Sequence, residues 1–147
     1  MCAVLIIESI NKTFRIVLEV TDIILHGFSL GTSLALYVAS ERDVKTVLLD
    51  APFVRMCEQM ARMSGLPACW LPGVQKWDSS AYLDGITADI QIQHGTDDNL
   101  VLLSDGRRLV EMMRDTGIAV DFLPIEGADH NNLFRQDGYG QRVASFI

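Results

Sequence analysis

Ile23-Ile24-Leu25-His26-Gly27-Phe28-Ser29-Leu30-Gly31 decides how the rest of the chain is read. A short apolar run ends at Gly27, and a serine then stands two residues from a glycine on either side, Gly-x-Ser-x-Gly. Downstream, Gly31, Ala35 and Ala39 fall at i, i+4 and i+8. That spacing makes one small-residue stripe on a helix, which lets the helix lie close on a sheet. A strand that passes straight into a helix must turn sharply at the serine. Glycines on either side remove Cβ clashes in that turn, and the hydroxyl projects above the sheet. The Leu30 N–H, at the start of the helix, then points to where an oxyanion would form. A plain strand–glycine–helix turn is the competing reading, because the five-residue pattern alone is modest evidence.

Three more apolar runs follow the first. They are Thr46-Val47-Leu48-Leu49-Asp50, Ile90-Gln91-Ile92-Gln93-His94 and Val120-Asp121-Phe122-Leu123-Pro124-Ile125, closed by Ala51-Pro52, Gly95 and Gly127 respectively. Short Val/Ile/Leu runs alternating with helical stretches predict an α/β fold with about four mostly parallel strands and flanking helices. Pro124 lacks a backbone N–H, so the last strand belongs at a sheet edge. Leu102 to Thr116 carries apolar residues at helical spacing, with Gly117 as its C-terminal cap. Residues 133–147 read as a closing helix and residues 3–14 as a weaker one. No repeat or linker divides residues 1–147, so they are expected to form one domain. Residues 54–88 are the longest stretch without a strand signal.

Two loops add chemistry to the serine. His94-Gly95-Thr96-Asp97-Asp98 follows the third strand, and a carboxylate there can orient an imidazole. The paired Asp residues could equally cap the next helix. Gly127-Ala128-Asp129-His130-Asn131 follows the fourth strand. Serine, acid and histidine thus occur in that order, each at the C-terminal end of a successive strand, where ligand and catalytic groups of a parallel sheet gather. His26 and His94 are weaker candidates for a base. Each precedes a glycine at a strand end and is expected to be packed or hydrogen-bonded there.

Composition narrows the class. Hydrophobic residues make up 49% and charged residues 21% of the 147 positions, and mean hydropathy is +0.22, which excludes a disordered polar tail. Twelve Lys+Arg against nineteen Asp+Glu, with no basic run, exclude a phosphate-tracking nucleic-acid surface. No stretch approaches the ~18 apolar residues of a membrane span. The Ala3–Ile7 run is broken by Glu8 and preceded by no positive charge. That pattern is not a signal peptide and predicts a cytoplasmic protein, with peripheral membrane association as the alternative. Phosphate-loop and dinucleotide glycine signatures are missing, so no cofactor is expected. The three cysteines, Cys2, Cys57 and Cys69, form no Cys-x-x-Cys pair. Neither a disulfide framework nor a metal site is therefore expected, and the thiols should be reduced and buried.

From Asp22 onward the chain resembles the second half of an α/β-hydrolase fold serine hydrolase. It is similar to the group containing monoacylglycerol lipases, lysophospholipases and protein depalmitoylases, often called serine aminopeptidase-like. Ile24 to Gly31 matches the nucleophile elbow, and Val47 to Phe53 resembles the strand after it. His94 to Val101 matches a family pattern H-G-x-x-D-x-x-V, which selects Asp98 over Asp97. Gly127 to Asn131 resembles the loop carrying the family's base. The resemblance implies a serine hydrolase of acyl esters or thioesters, with Ser29 as nucleophile, His130 as base, Asp98 as acid and Leu30 N–H as oxyanion donor. It places a short cap at residues 54–88, where Met56, Met60 and Trp70 could line an acyl pocket. Ordinary helix core is the alternative for those three. The implied partner is a small-molecule or lipid acyl substrate. The family's N-terminal strands, and the loop supplying a second oxyanion donor, are missing from this sequence. The elbow strand is then expected to have an open edge, with Ile23–His26 available for self-association. A non-catalytic hydrolase-like binding module, or an inactive fragment that associates through this edge, is the other reading this allows.

Overall fold

The computed structural model describes residues 23–71 and 77–147. The expected helix at 3–14 lies outside them. Four strands form one parallel sheet in the order β1-β2-β3-β4: Ile24–Phe28, Thr46–Asp50, Asp89–Gly95 and Val120–Ile125. The register pairs Phe28 with Asp50, Asp50 with Gln93, and Gly95 with Ile125. The strands therefore finish at one level, and every βα loop opens on the same edge of the sheet. Four helices flank it: α1 Leu30–Glu41, α2 Met56–Ser64, α3 Leu103–Asp115 and α4 Tyr139–Phe146. Pro124 sits on β4, an edge strand among the described residues, where its missing N–H is tolerated.

Side chains alternate across a strand, so the register sorts the sheet into two faces. Val47, Leu49, Ile90 and Ile92 form a single apolar cluster with Ala35, Leu36 and Ala39 of α1 and Leu109, Val110 and Met113 of α3. The small-residue stripe of α1 explains how it can seat so closely. The opposite face carries His26, Thr46, Leu48, Asp50, Gln91, Gln93 and Asp121. It receives α4 through Tyr139 and Arg142.

Three features differ from the sequence reading. Residues 133–147 do not form one helix. A 3-10 turn at Leu133–Arg135 is separated from α4 by Gly138, whose φ of 76° no helix continues. The cysteines are not all reduced: Cys57 and Cys69 form a disulfide, with Cα atoms 4.9 Å apart. The spacing gives no hint of it, because the pair meets only once α2 ends at left-handed Gly65 and the chain returns. Finally, the excursion after β2 closes tighter than residues 54–88. Arg55 and Asp78 form an antiparallel bridge, and Arg55 Nε donates to Asp78 Oδ2 at 2.8 Å. A pocket of about 250 Å³ at this neck is lined by Arg55, Cys57, Cys69 and Asp78.

Candidate active site

Ser29 occupies the one-residue turn between β1 and α1 with φ 50° and ψ −115°. A positive φ in a non-glycine residue costs roughly 1–3 kcal/mol and persists only where the surroundings fix it. The Ser29 N–H donates to the Asp50 carbonyl at 2.9 Å, and Thr32 donates twice to the Ser29 carbonyl. Only one of the flanking glycines is demanded sterically. A Cβ on Gly27 would lie 2.6 Å from the Gly31 carbonyl oxygen, whereas one on Gly31 would meet nothing within 4 Å. The turn is tight because the β1 backbone runs under the first turn of α1. Leu30 is the first residue of α1, where helical geometry leaves an N–H without an intrahelical acceptor.

The loops that carry Asp98 and His130 are built as one unit. Asp97 N–H donates to Ala128 O at 3.0 Å, and Gly127 N–H to Thr96 Oγ1 at 2.9 Å. The Ala128 carbonyl presses so close on Gly95 that no side chain fits there. Asp129 turns inward on its own loop and accepts from the Asn131 and Asn132 amides at 2.7 and 2.9 Å. That turn aims the intervening His130 back toward the sheet.

These constraints bring Ser29, Asp98 and His130 together. His130 Nδ1 donates to Asp98 Oδ2 at 2.7 Å, and Ser29 Oγ donates to His130 Nε2 at 3.1 Å. The direction follows from chemistry: a carboxylate only accepts, so Nδ1 carries the hydrogen and Nε2 is left as acceptor. Asp98 and His130 are buried, and the Phe28 ring lies 5.0 Å from the imidazole. The second Asp98 oxygen accepts from the Leu100 and Val101 amides. Burial pushes the Asp98 carboxyl up, but the bonds from His130, Val101 and Leu100 outweigh it and hold it below the usual range. Asp97 has no such contact with His130; its carboxylate accepts from Thr96 on its own loop.

The other two histidines are both engaged elsewhere. His26 donates to Asp50 Oδ2 at 2.8 Å. His94, fully buried, donates from Nε2 to the Val101 carbonyl at 2.9 Å and leaves Nδ1 without a partner among the described residues. Met60 and Trp70 are 42% and 88% exposed. Met56 is partly buried at the start of α2. Sequence reading missed Asp50, Tyr139 and Asp129. Only Asp50 left a signal, as an acid ending an otherwise apolar and wholly buried strand.

The fold is that of an α/β hydrolase. The chain belongs to the phospholipase/carboxylesterase family, whose sequence profile matches residues 2–136. It is 32% identical over 132 residues to the alpha/beta hydrolase domain-containing protein 17C of Xenopus tropicalis, covering 86% of this chain and 38% of that protein. The chain thus spans under two-fifths of that relative's length. Its fold is similar to acylaminoacyl peptidase of Pyrococcus horikoshii, with a TM-score of 0.68 at 14% identity over 86% of this chain and 22% of the other. It is likewise similar to a truncated carbohydrate esterase from gut microbiota, with a TM-score of 0.63 at 19% identity over 82% and 56%.

Proposed function

We propose that this chain carries the nucleophile, base and acid of a serine hydrolase that cleaves acyl ester or thioester bonds, of lipid or acyl-protein type. The unbroken line of hydrogen bonds from Ser29 through His130 to Asp98 carries the reading. His130 Nε2 takes the Ser29 proton as Oγ adds to the acyl carbonyl. The Leu30 N–H faces the developing oxyanion. The tetrahedral adduct collapses, the alcohol or thiol leaves with the proton from Nε2, and the acyl group stays on Ser29. A water then gives its proton to His130 and attacks the acyl-enzyme, and Ser29 departs as the free hydroxyl. Asp98 keeps Nδ1 protonated throughout and stabilises the imidazolium. The match to the phospholipase/carboxylesterase profile supports this chemistry. Met56, Met60 and Trp70 remain the proposed acyl-binding residues, on an excursion that presents apolar side chains outward.

Fluorophosphonate labelling of the 147-residue chain beside Ser29→Ala tests the reading, with circular dichroism as the folding check. Labelling that disappears in Ser29→Ala is the expected outcome; a folded chain that takes no label overturns it for this chain. Asp98→Asn should then lower turnover about 10⁴-fold, the scale for a lost tautomer-fixing acid. Asp97→Asn should leave turnover within a few-fold, and equal effects would reverse the assignment. A second reading, a module that associates through its sheet edge, is favoured by β1 pairing only with β2 among the described residues. It requires a dimer in which the Ile23–His26 amides are protected from hydrogen exchange.

A further inference from the structure

Asp50 closes β2 and touches the two segments that deliver the nucleophile and follow the base. Its carbonyl accepts the Ser29 amide at 2.9 Å. Its buried carboxylate accepts from His26 on β1 at 2.8 Å and from the Tyr139 hydroxyl on α4. Tyr139 Oη also lies 3.3 Å from His26 Nε2, so the three side chains form a closed cluster. Both donors converge on Oδ2, while Oδ1 is buried without a partner among the described residues. The next residue, Ala51, has φ 50°, the second non-glycine residue with positive φ among the described residues. Its amide is pinned to the Gln93 carbonyl at 2.9 Å.

Two strained residues, Ser29 and Ala51, therefore meet across one hydrogen bond that runs through Asp50. Strain of this kind must be over-determined by its surroundings, and here the surroundings are the Asp50 cluster. We propose that Asp50 is a positioning residue for Ser29, acting through its carbonyl on the elbow amide and through His26 and Tyr139 on β1 and α4. The inference rests on Ser29 being the nucleophile. It assigns Asp50 no contact with substrate. Burial, then the bond to Asp50, pushes the Tyr139 hydroxyl well above its usual range, so it stays a donor across the working range.

The test measures fluorophosphonate acylation of the full chain and separates the reversible binding constant of the probe from the acylation rate. Asp50→Asn and Tyr139→Phe are compared with wild type, with Ser29→Ala as the blank and circular dichroism confirming the fold. A misplaced nucleophile slows acylation without weakening binding. Asp50→Asn should lower the acylation rate about 10- to 100-fold and Tyr139→Phe by less, both with unchanged probe affinity. If Asp50→Asn does not fold, Tyr139→Phe decides alone, because it removes a single oxygen. Wild-type acylation rates in the folded variants overturn the positioning role. So does an equal loss of affinity and rate, which would mean general damage. Wild-type labelling that does not depend on Ser29 overturns the reading of the site and the positioning role with it.

Discussion

The two faces of the sheet solve burial in different ways. The face under α1 and α3 is covered by aliphatic side chains, with Val47, Leu49 and Ile92 fully enclosed. The face under α4 buries Thr46, Asp50, Gln91 and Gln93 to almost the same extent. There the side chains are stitched into a ladder. Gln91 donates to Asp121 at 3.0 Å, Gln93 donates to Gln91 at 3.4 Å, and Arg142 Nε donates to Gln93 Oε1 at 2.9 Å. Apolar packing tolerates small displacements at modest cost, whereas a buried polar ladder is favourable only while each rung is satisfied. The Thr46 hydroxyl and Arg142 Nη2 are buried without partners, so this ladder is incompletely satisfied among the described residues. The helix that covers it, α4, has no fully buried residue. The elbow crosses from one regime to the other. Gly27 passes under α1 on the apolar side, while Asp50 holds the Ser29 amide from the polar side.

The largest expected effect lies on the apolar face. Leu36→Ala and Leu109→Ala each remove a fully buried side chain and should cost about 2–5 kcal/mol. Urea denaturation monitored by circular dichroism measures it, against the roughly 5–15 kcal/mol that holds a typical domain together. A loss under 1 kcal/mol would mean this face is not the main source of stability. The polar face should respond less and non-additively. Gln93→Leu strands the Arg142 Nε donor and should cost about 1–3 kcal/mol. Adding Arg142→Leu removes the stranded donor and should recover most of that loss. Two costs that simply add would show that the residues do not act as a network.

Much of this was legible from sequence because its signals are local. Each strand is a short apolar run with a glycine or proline at its end. Ser29, Asp98 and His130 each follow one of those runs, so parallel order alone brings them to one edge. The preference for Asp98 over Asp97 rests on a pattern match, and the contacts that set the two apart, two amides and the His130 imidazole around the Asp98 carboxylate, form only on folding. What was not legible depends on approaches that only the folded chain makes. Cys57 and Cys69 meet because α2 stops at Gly65. Asp50 and Tyr139, far apart in sequence, meet because α4 returns across the sheet. The polar face is not legible either, since a buried glutamine ladder and a solvent-exposed face leave the same period-2 pattern.

The smallest predicted effect compares one histidine on each face. His94 lies on the apolar side against Gly106 of α3. Burial lowers its pKa below the ordinary 6.5, although the Val101 carbonyl and the Asp98 and Asp105 charges oppose that shift. His26 lies on the polar side, and its bond to Asp50 raises its pKa, against the opposing effect of burial. For His94 the folded state binds its proton less readily than the unfolded one. Its stabilising contribution is complete above pH 6.5 and is lost as pH falls toward the lowered value. For His26 the folded state binds the proton more readily. Its contribution is complete below pH 6.5 and is lost as pH rises through the raised value. The Asp98 and Asp105 carboxyls, both lowered, contribute above their ordinary 3.8 and fade only in stronger acid. The two histidines therefore bracket a stability maximum near pH 6.5, with an acid arm of at most about 1.4 kcal/mol per pH unit from His94. The alkaline arm should be shallower, because the His26 side chain is 44% exposed and its ion pair is screened. Thermal midpoints from pH 5 to 9 measure both arms. His94→Gln should flatten the acid arm only, and His26→Gln the alkaline arm only. A single variant that flattens both would show that the two faces are not electrostatically independent.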